Sequence, residues 1–245
     1  MKEERPGVPR SVAVIMDGNG RWARERGRPR VEGHRVGAES VRVVTRECAR
    51  LGVEILTLYA FSLENFKRPA REVEFLMGLL RRFLRKERRE IMDNNIRFNV
   101  IGRRELLPRS VVDLIGDLEE ASAGNGGMEL NLALAYGGRA EIVDAARALA
   151  AEAAAGRIDP AGLDEEMLAA RLYPGGPREV DLLIRTAGEM RVSNFLLWQI
   201  CYAEIHVTPV CWPAFRKEEL SRAFADFGAR VRKFGGLAPE DADGS

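Results

Sequence analysis

Six short runs of β-branched and apolar residues, separated by segments of helical periodicity, constrain the fold of this chain more than any other feature of it. The runs are Ser11–Met16, Glu54–Ala60, Ile96–Gly102, Met128–Tyr136, Asp181–Thr186 and Ala203–Val210, and their length and composition predict buried strands. Spacing near 3.6 residues predicts helices over Val36–Leu51, Glu72–Asn94, Arg109–Ala123, Arg139–Ala155 and Asp164–Leu172, with a last one near Lys217–Phe234. Near-continuous alternation of the two predicts an α/β fold. The expected architecture is a single domain with a six-stranded, mostly parallel sheet flanked by helices, and ligands at the carboxyl ends of the strands. The chain shows no internal repeat, and its composition breaks only after Gly236. The expected organisation is an N-terminal extension over 1–10, one folded domain over 11–236 and a C-terminal tail over 237–245.

Charge and cysteine usage exclude several function classes. Lys and Arg total 38 against 37 Asp and Glu, a formal net charge of +1, and aromatics make up 7%, so a nucleic-acid partner is not expected. Cys48, Cys201 and Cys211 form no Cys-x-x-Cys pair, and His34 and His206 are the two histidines. A thiolate or multi-histidine metal site within the chain is therefore not expected, and a metal here should be a hard, oxygen-liganded ion such as Mg²⁺. Apolar stretches fall short of the roughly 18 residues of a membrane span, and the N-terminus has no apolar signal region. The expected location is the cytoplasm.

The first predicted strand runs into Met16-Asp17-Gly18-Asn19-Gly20-Arg21-Trp22. Gly18 and Gly20 let backbone N–H groups approach an anion, Arg21 can clamp a phosphate bidentately, and Asp17 can hold a metal bridging phosphates. An ordinary Asp-Gly, Asn-Gly turn reads as well from this loop alone. Arg24, Arg26, Arg28, Arg30 and Arg35 crowd the following stretch around His34, offset only by Glu25 and Glu32. Arg30 and His34, four residues apart, are the better anion ligands, and the others fit a solvated surface too. Phe61-Ser62-Leu63-Glu64-Asn65-Phe66-Lys67-Arg68-Pro69 reads as a lid bringing Ser62, Asn65 and Arg68 to a ligand, or as a plain connector. The run Ile184-Arg185-Thr186 through Phe195 again ends a strand, and Ser193 is a plausible N-cap of a following helix. Glu204 starts the last strand and needs a metal or an arginine as partner. The predicted helix Glu72–Asn94 has an apolar stripe of Val73, Leu76, Met77, Leu80, Phe83 and Leu84 and a basic face of Arg81, Arg82, Arg85, Lys86, Arg88 and Arg89. That pattern suits a core-facing helix with a solvated face, or a tunnel wall whose outer face meets anionic lipid. Two arginine-rich anion sites with a carboxylate between them suggest metal-assisted transfer between two phosphorylated substrates.

These strings, with Leu58-Tyr-Ala-Phe-Ser62 and Asn131 through Tyr136-Gly-Gly-Arg139, resemble the cis-prenyltransferases, and among them the undecaprenyl diphosphate synthases, from about Ser11 to Gly236. The resemblance implies that 11–236 is a catalytic domain with a hydrophobic prenyl tunnel, that the protein is a homodimer touching membrane lipid peripherally, and that Mg²⁺ is its cofactor. The implied substrates are isopentenyl diphosphate and an allylic diphosphate such as farnesyl diphosphate. The implied product is a long polyprenyl diphosphate, the undecaprenyl carrier lipid of the cell wall. A shorter-chain synthase and a non-catalytic partner subunit are the alternatives.

By the same resemblance, Asp17 and Asn65 are catalytic, and Asp17 and Glu204 are metal ligands. Gly18, Asn19, Gly20, Arg21, Arg30 and His34 hold the allylic diphosphate, with Trp22 an ordered wall. Arg185, Arg191 and Ser193 take isopentenyl diphosphate, and Ser62, Asn65 and Arg68 form a mobile loop. Ala60, Leu79, Leu80, Ile96 and Met128 line the tunnel and set product length. Two departures stand out: Ala187 where a glycine is common, and Lys233 where an arginine is common. The sequence leaves open whether Asp17, a diphosphate oxygen or water takes the proton.

Overall fold

A computed structural model describes residues 7–173, 175–176 and 179–231. Its elements run β1 (Ser11–Ile15), α1 (Asn19–Arg24), α2 (Arg30–Leu51), β2 (Ile55–Ser62), α3 (Ala70–Asp93), β3 (Arg97–Ile101) and α4 (Arg109–Ser122). There follow β4 (Glu129–Tyr136), α5 (Gly138–Ala154), α6 (Glu165–Ala169), β5 (Leu182–Arg185), β6 (Glu204–Val207) and α7 (Lys217–Gly228). The six strands form one sheet in the order β3-β4-β2-β1-β5-β6, and every pairing is parallel. Lys233 and the tail over 237–245 lie outside the described residues.

Period-2 alternation divides each strand between two cores. Val12, Val14, Leu56 and Leu58 face a cluster that holds Val44 of α2, Met77 and Leu84 of α3, Ile115 of α4 and Phe224 of α7. Ala13, Ile15, Ala133 and Leu183 face Tyr136, Phe195 and Leu196. Both faces of β1 are buried, as its unbroken Ser-Val-Ala-Val-Ile composition demands of a central parallel strand.

The chain turns back at β1. It moves outward from β1 to β2, then returns to lay β5 on the other side, so the carboxyl ends of β1 and β5 flank the switch point where α/β sheets bind ligands.

Three local features depart from expectation. Helix α2 begins at Arg30 rather than Val36, directly after the extended Pro29, and Gly33 lets α1 lie against its first turns. A Cβ at Gly33 would stand 1.9 Å from the Asn19 carbonyl oxygen. The segment after Arg68 becomes α3, and Leu63–Lys67, where no helix was expected, is a 3₁₀ helix closed by reciprocal Ser62 and Asn65 hydrogen bonds. No helix follows Ser193. Ser193, Asn194 and Leu196 all take positive φ, at 48°, 61° and 45°, so Ser193 is not an N-cap.

Candidate functional site

The switch point is built from two strand ends. Asp17 follows β1 and Arg185 ends β5, and Arg185 Nη2 donates to Asp17 Oδ2 at 2.9 Å. Thr186 ties the Asp17 backbone in place, its hydroxyl accepting from Asp17 N at 2.8 Å and donating to Asp17 O at 2.8 Å. Asp17 Oδ1 accepts from Gly18 N at 2.7 Å. Gly18 has φ 93°, and a Cβ there would stand 2.8 Å from both Ala187 Cβ and Cys211 Sγ, so the loop requires glycine on two grounds. The Arg185 side chain is 4% exposed against 39% for Asp17. Arg185 Nη1 donates to Ser193 Oγ at 2.7 Å and also to the Arg191 carbonyl oxygen. A buried guanidinium thus joins the two loops that the sequence placed at separate sites.

Two cavities open on Asp17. The first, about 580 Å³, is lined at its mouth by Asp17, Gly18, Asn19, Gly20, Arg21, Arg30, His34 and Arg68, and deeper by Ala60, Val41, Leu79, Leu80 and Phe83. The second, about 510 Å³, is lined by Asp17, Ser62, Asn65, Arg68, Arg185 and Ser193. Met16, Asp17, Tyr59, Asn65 and Arg68 belong to both and form the partition. The mouth of the first cavity is cationic, and its depth is a sleeve between α2 and α3 over the sheet. Ala60 points into the sleeve because the β2–β4 register slips between Tyr59 and Phe61, a bulge that re-aims a side chain beside a site.

At the mouth, Glu72 of α3 carries two cations: Arg30 Nε at 3.3 Å and Arg68 Nη1 at 3.0 Å. His34 lies among these groups. Burial first, then Arg68 and Arg30, lowers its pKa to about 4, so at neutral pH the imidazole is uncharged. Its Nε2 is buried without a hydrogen-bond partner. The folded pKa lies below the unfolded value near 6.5, so the unfolded chain binds more protons between pH 6.5 and 4. His34's neutral burial therefore contributes its full stability above pH 6.5, which is lost as pH falls toward 4. His34→Gln should flatten this part of a Tm-against-pH profile; an unchanged slope would assign the dependence elsewhere.

The remaining expected residues are placed differently. Arg191 lines neither cavity: its side chain is 61% exposed and donates to Glu189 at 2.6 Å, while Arg21 Nη2 donates to the other Glu189 oxygen at 2.8 Å. Arg191 and then Arg21 hold the Glu189 carboxyl below its ordinary range. Trp22 is 9% exposed, packs with Ala23, Ala187 and Cys211, and lies under the Arg26 guanidinium at 4.4 Å; it is core rather than cavity wall. Ile96 and Met128 are buried in the main core at the amino ends of β3 and β4 and do not line the sleeve. Ala187 takes φ 68°, the left-handed conformation a glycine adopts without strain.

Glu204 starts β6, at the amino end of the sheet and opposite Asp17, and pairs with Arg230 at 2.7 Å. The chain does not bring it to Asp17, because all six strands run the same way and a residue that opens a strand sits at the far edge. Its carboxylate has the arginine partner that the sequence left as one of two choices.

Among the described residues no group of three or more His, Cys, Asp and Glu side chains could hold a metal ion. Asp17 nevertheless offers one hard carboxylate oxygen set facing both cavities, which fits Mg²⁺ held by a single carboxylate and substrate phosphate oxygens. Sequence reading missed Glu189 and Thr186 and left Arg24 and Arg28 on the surface, although both line the first cavity. The signal for Arg24 was its helical spacing from Gly20. It also missed Glu64, which accepts from Asn194 Nδ2 at 3.0 Å across the second cavity.

Comparison with known proteins agrees with this geometry. A family model described as "Putative undecaprenyl diphosphate synthase" matches residues 15–235. An isoprenyl transferase of Geobacter sulfurreducens is 49% identical over 228 residues, 93% of each chain. The crystal structure of lavandulyl diphosphate synthase from Lavandula x intermedia, in complex with dimethylallyl diphosphate, superposes with a TM-score of 0.92 at 39% identity, covering 94% of this chain and all of that one. A structure described as that of a "probable undecaprenyl diphosphate synthase" from Campylobacter jejuni gives a TM-score of 0.78 at 32% identity, covering 96% of this chain and all of that one.

Proposed function

The chain belongs to the undecaprenyl diphosphate synthase family of cis-prenyltransferases, and we propose that it adds isopentenyl diphosphate units to an allylic diphosphate such as farnesyl diphosphate, ending at undecaprenyl diphosphate for cell-wall carrier lipid. The observation that carries this reading is the pair of arginine-bearing cavities that share Asp17, one of which has a cationic mouth and continues into an apolar sleeve. Two diphosphates can then lie on either side of one carboxylate, with the hydrocarbon of only one of them removed from water.

In this reading the first cavity takes the allylic diphosphate at Gly18, Asn19, Gly20, Arg21, Arg30 and His34, and the second takes isopentenyl diphosphate at Arg185 and Ser193. Neutral His34 offers a hydrogen-bonding nitrogen there rather than a third charge. Arg21 exchanges Glu189 for phosphate oxygens when substrate binds, and Arg191 keeps Glu189. The C1–O bond of the allylic substrate breaks, its electron pair leaves on pyrophosphate, and the double bond of isopentenyl diphosphate closes on C1; a proton then leaves the incoming unit. Arg21 and Arg30 stabilise the charge that builds on the departing group. Mg²⁺, held by Asp17 and phosphate oxygens, would neutralise part of that charge as a Lewis acid. Asn65 and Arg68, in the partition, orient the two substrates. A homodimer fits the exposed apolar side chains at the edge strand, Tyr202 just before β6 at 65% and Ile205 in it at 48%. Peripheral lipid contact fits the exposed cations of α3, and no helix among the described residues is long and apolar enough to cross a membrane.

The test is mass spectrometry of products from farnesyl diphosphate, excess isopentenyl diphosphate, Mg²⁺ and detergent. A ladder ending near about eleven units supports the reading, since each added unit buries roughly 4 kcal/mol of hydrocarbon. A single short product would favour the second reading, a shorter-chain synthase, which the end of the sleeve at Phe83 supports. No consumption of isopentenyl diphosphate would sink both. Ala60→Leu should shorten the product by filling the sleeve where the bulge opens it; an unaltered ladder would place the hydrocarbon against another wall.

A further inference from the structure

The sleeve is framed at both ends by ion pairs between the same two helices. Helices α2 and α3 both follow strands of a parallel sheet and run side by side in the same direction, so residues advance along them in step. Arg30 meets Glu72 at the mouth, Arg42 meets Glu87 beyond the last lining residues, and Arg46 meets Glu90 one turn further. Lining side chains end at Val41 on α2 and at Phe83 on α3. At about 100° per residue Glu87 falls within about 20° of Leu76 and of Leu80 and about 40° of Phe83 around the helix axis. The same apolar stripe that walls the sleeve therefore continues into a carboxylate.

Glu87 is 5% exposed. It accepts from Arg42 Nε at 2.9 Å and from Arg42 Nη2 in a bidentate pair. On α2 the next residue of the lining face is Thr45, also buried, whose hydroxyl has no hydrogen-bond partner. Beyond the last lining residues, the lining face of each helix thus continues into a buried polar residue.

We propose that the Arg42–Glu87 pair is a specificity-determining element that resists the advancing prenyl chain, so that growth past it requires the pair to part. This rests on the prenyl-transfer reading of the first cavity. The distance along α2 from Arg30 to Arg42 is about 18 Å at 1.5 Å per residue. An extended chain advances about 1.1–1.2 Å per bond, judged from 3.3–3.6 Å for a three-bond residue. A prenyl chain with its diphosphate at Arg30 therefore reaches the pair after about four isoprene units of four main-chain bonds each. A farnesyl primer fits within this span, and a longer chain has to displace a bidentate charge pair whose carboxylate is buried and which hydrocarbon cannot solvate.

The experiment compares product ladders at limiting isopentenyl diphosphate for the unaltered protein, the double variant R42L/E87L and the charge-exchanged variant R42E/E87R, with Tm measured for each. Replacing both partners by apolar residues avoids leaving a lone buried charge. R42L/E87L is expected to move the modal product up by about one unit or more, since the Arg46–Glu90 pair stands one turn, about 5.4 Å, further on. R42E/E87R keeps a pair and should keep the unaltered ladder. An unchanged ladder from R42L/E87L would overturn the proposal, as would an equal lengthening by R42E/E87R, which would show loosened packing rather than loss of charge. No incorporation of isopentenyl diphosphate by the unaltered protein would instead overturn the transferase reading itself, and the proposal with it.

Discussion

Asp17→Ala is expected to lower turnover by at least about a thousandfold, a loss near 4 kcal/mol of transition-state stabilisation. Asp17 borders both cavities, is 39% exposed on the side facing them, and is locked from behind by Gly18 N and Arg185. Nothing else in the partition is a carboxylate facing both substrates: Glu72 is engaged with Arg30 and Arg68, and Glu189 with Arg21 and Arg191. The substitution leaves Arg185 without its acid partner, so Tm should be measured beside kcat. Asp17→Asn keeps an acceptor for Arg185 and separates the two effects. If Asp17→Asn retained Mg²⁺-dependent turnover within tenfold of the unaltered protein, the carboxylate would not be the group that holds the metal.

Arg185→Ala is expected to weaken isopentenyl diphosphate by about 2–5 kcal/mol, the range for removing one partner of a buried charged contact. That is about 30-fold to several thousandfold in KM. The same guanidinium touches Asp17, Ser193 and the Arg191 carbonyl, so Arg185→Lys should not restore binding, because an ammonium cannot reach all three in the fixed fork of an arginine. Arg191→Ala should cost less. Its side chain is 61% exposed and pairs with Glu189, and exposed pairs contribute little. A KM rise for Arg191→Ala as large as that for Arg185→Ala would mean that Arg191 swings inward when substrate binds.

Much of the site was legible before the fold was known, because its parts are local. Met16-Asp-Gly-Asn-Gly-Arg and Ile184-Arg-Thr186 each follow a strand-like run, and a strand's carboxyl end is where a parallel sheet places ligands. Periodicity also placed all six strands and most helices to within a few residues. It failed where a short-range preference competed with a tertiary contact. Helix α2 starts at Arg30 because Gly33 admits α1 against it, and no local pattern announces that neighbour. The family resemblance implied that Trp22 is a wall, yet Ala187 and Cys211, distant in sequence, bury it in the core.

The sequence by itself determined the alternation of strand and helix, the two buried faces of each central strand, and the residue types available for anion binding. These follow from side-chain hydrophobicity and backbone period, which neighbouring residues express without help. Only the tertiary structure decided that the order β3-β4-β2-β1-β5-β6 brings Arg185 to Asp17 across 168 intervening sequence steps. It likewise sent Glu204 to the opposite edge and ran α2 and α3 in step so that Arg42 meets Glu87. Those outcomes depend on which strands and helices become neighbours, and that is set by packing the whole sheet at once.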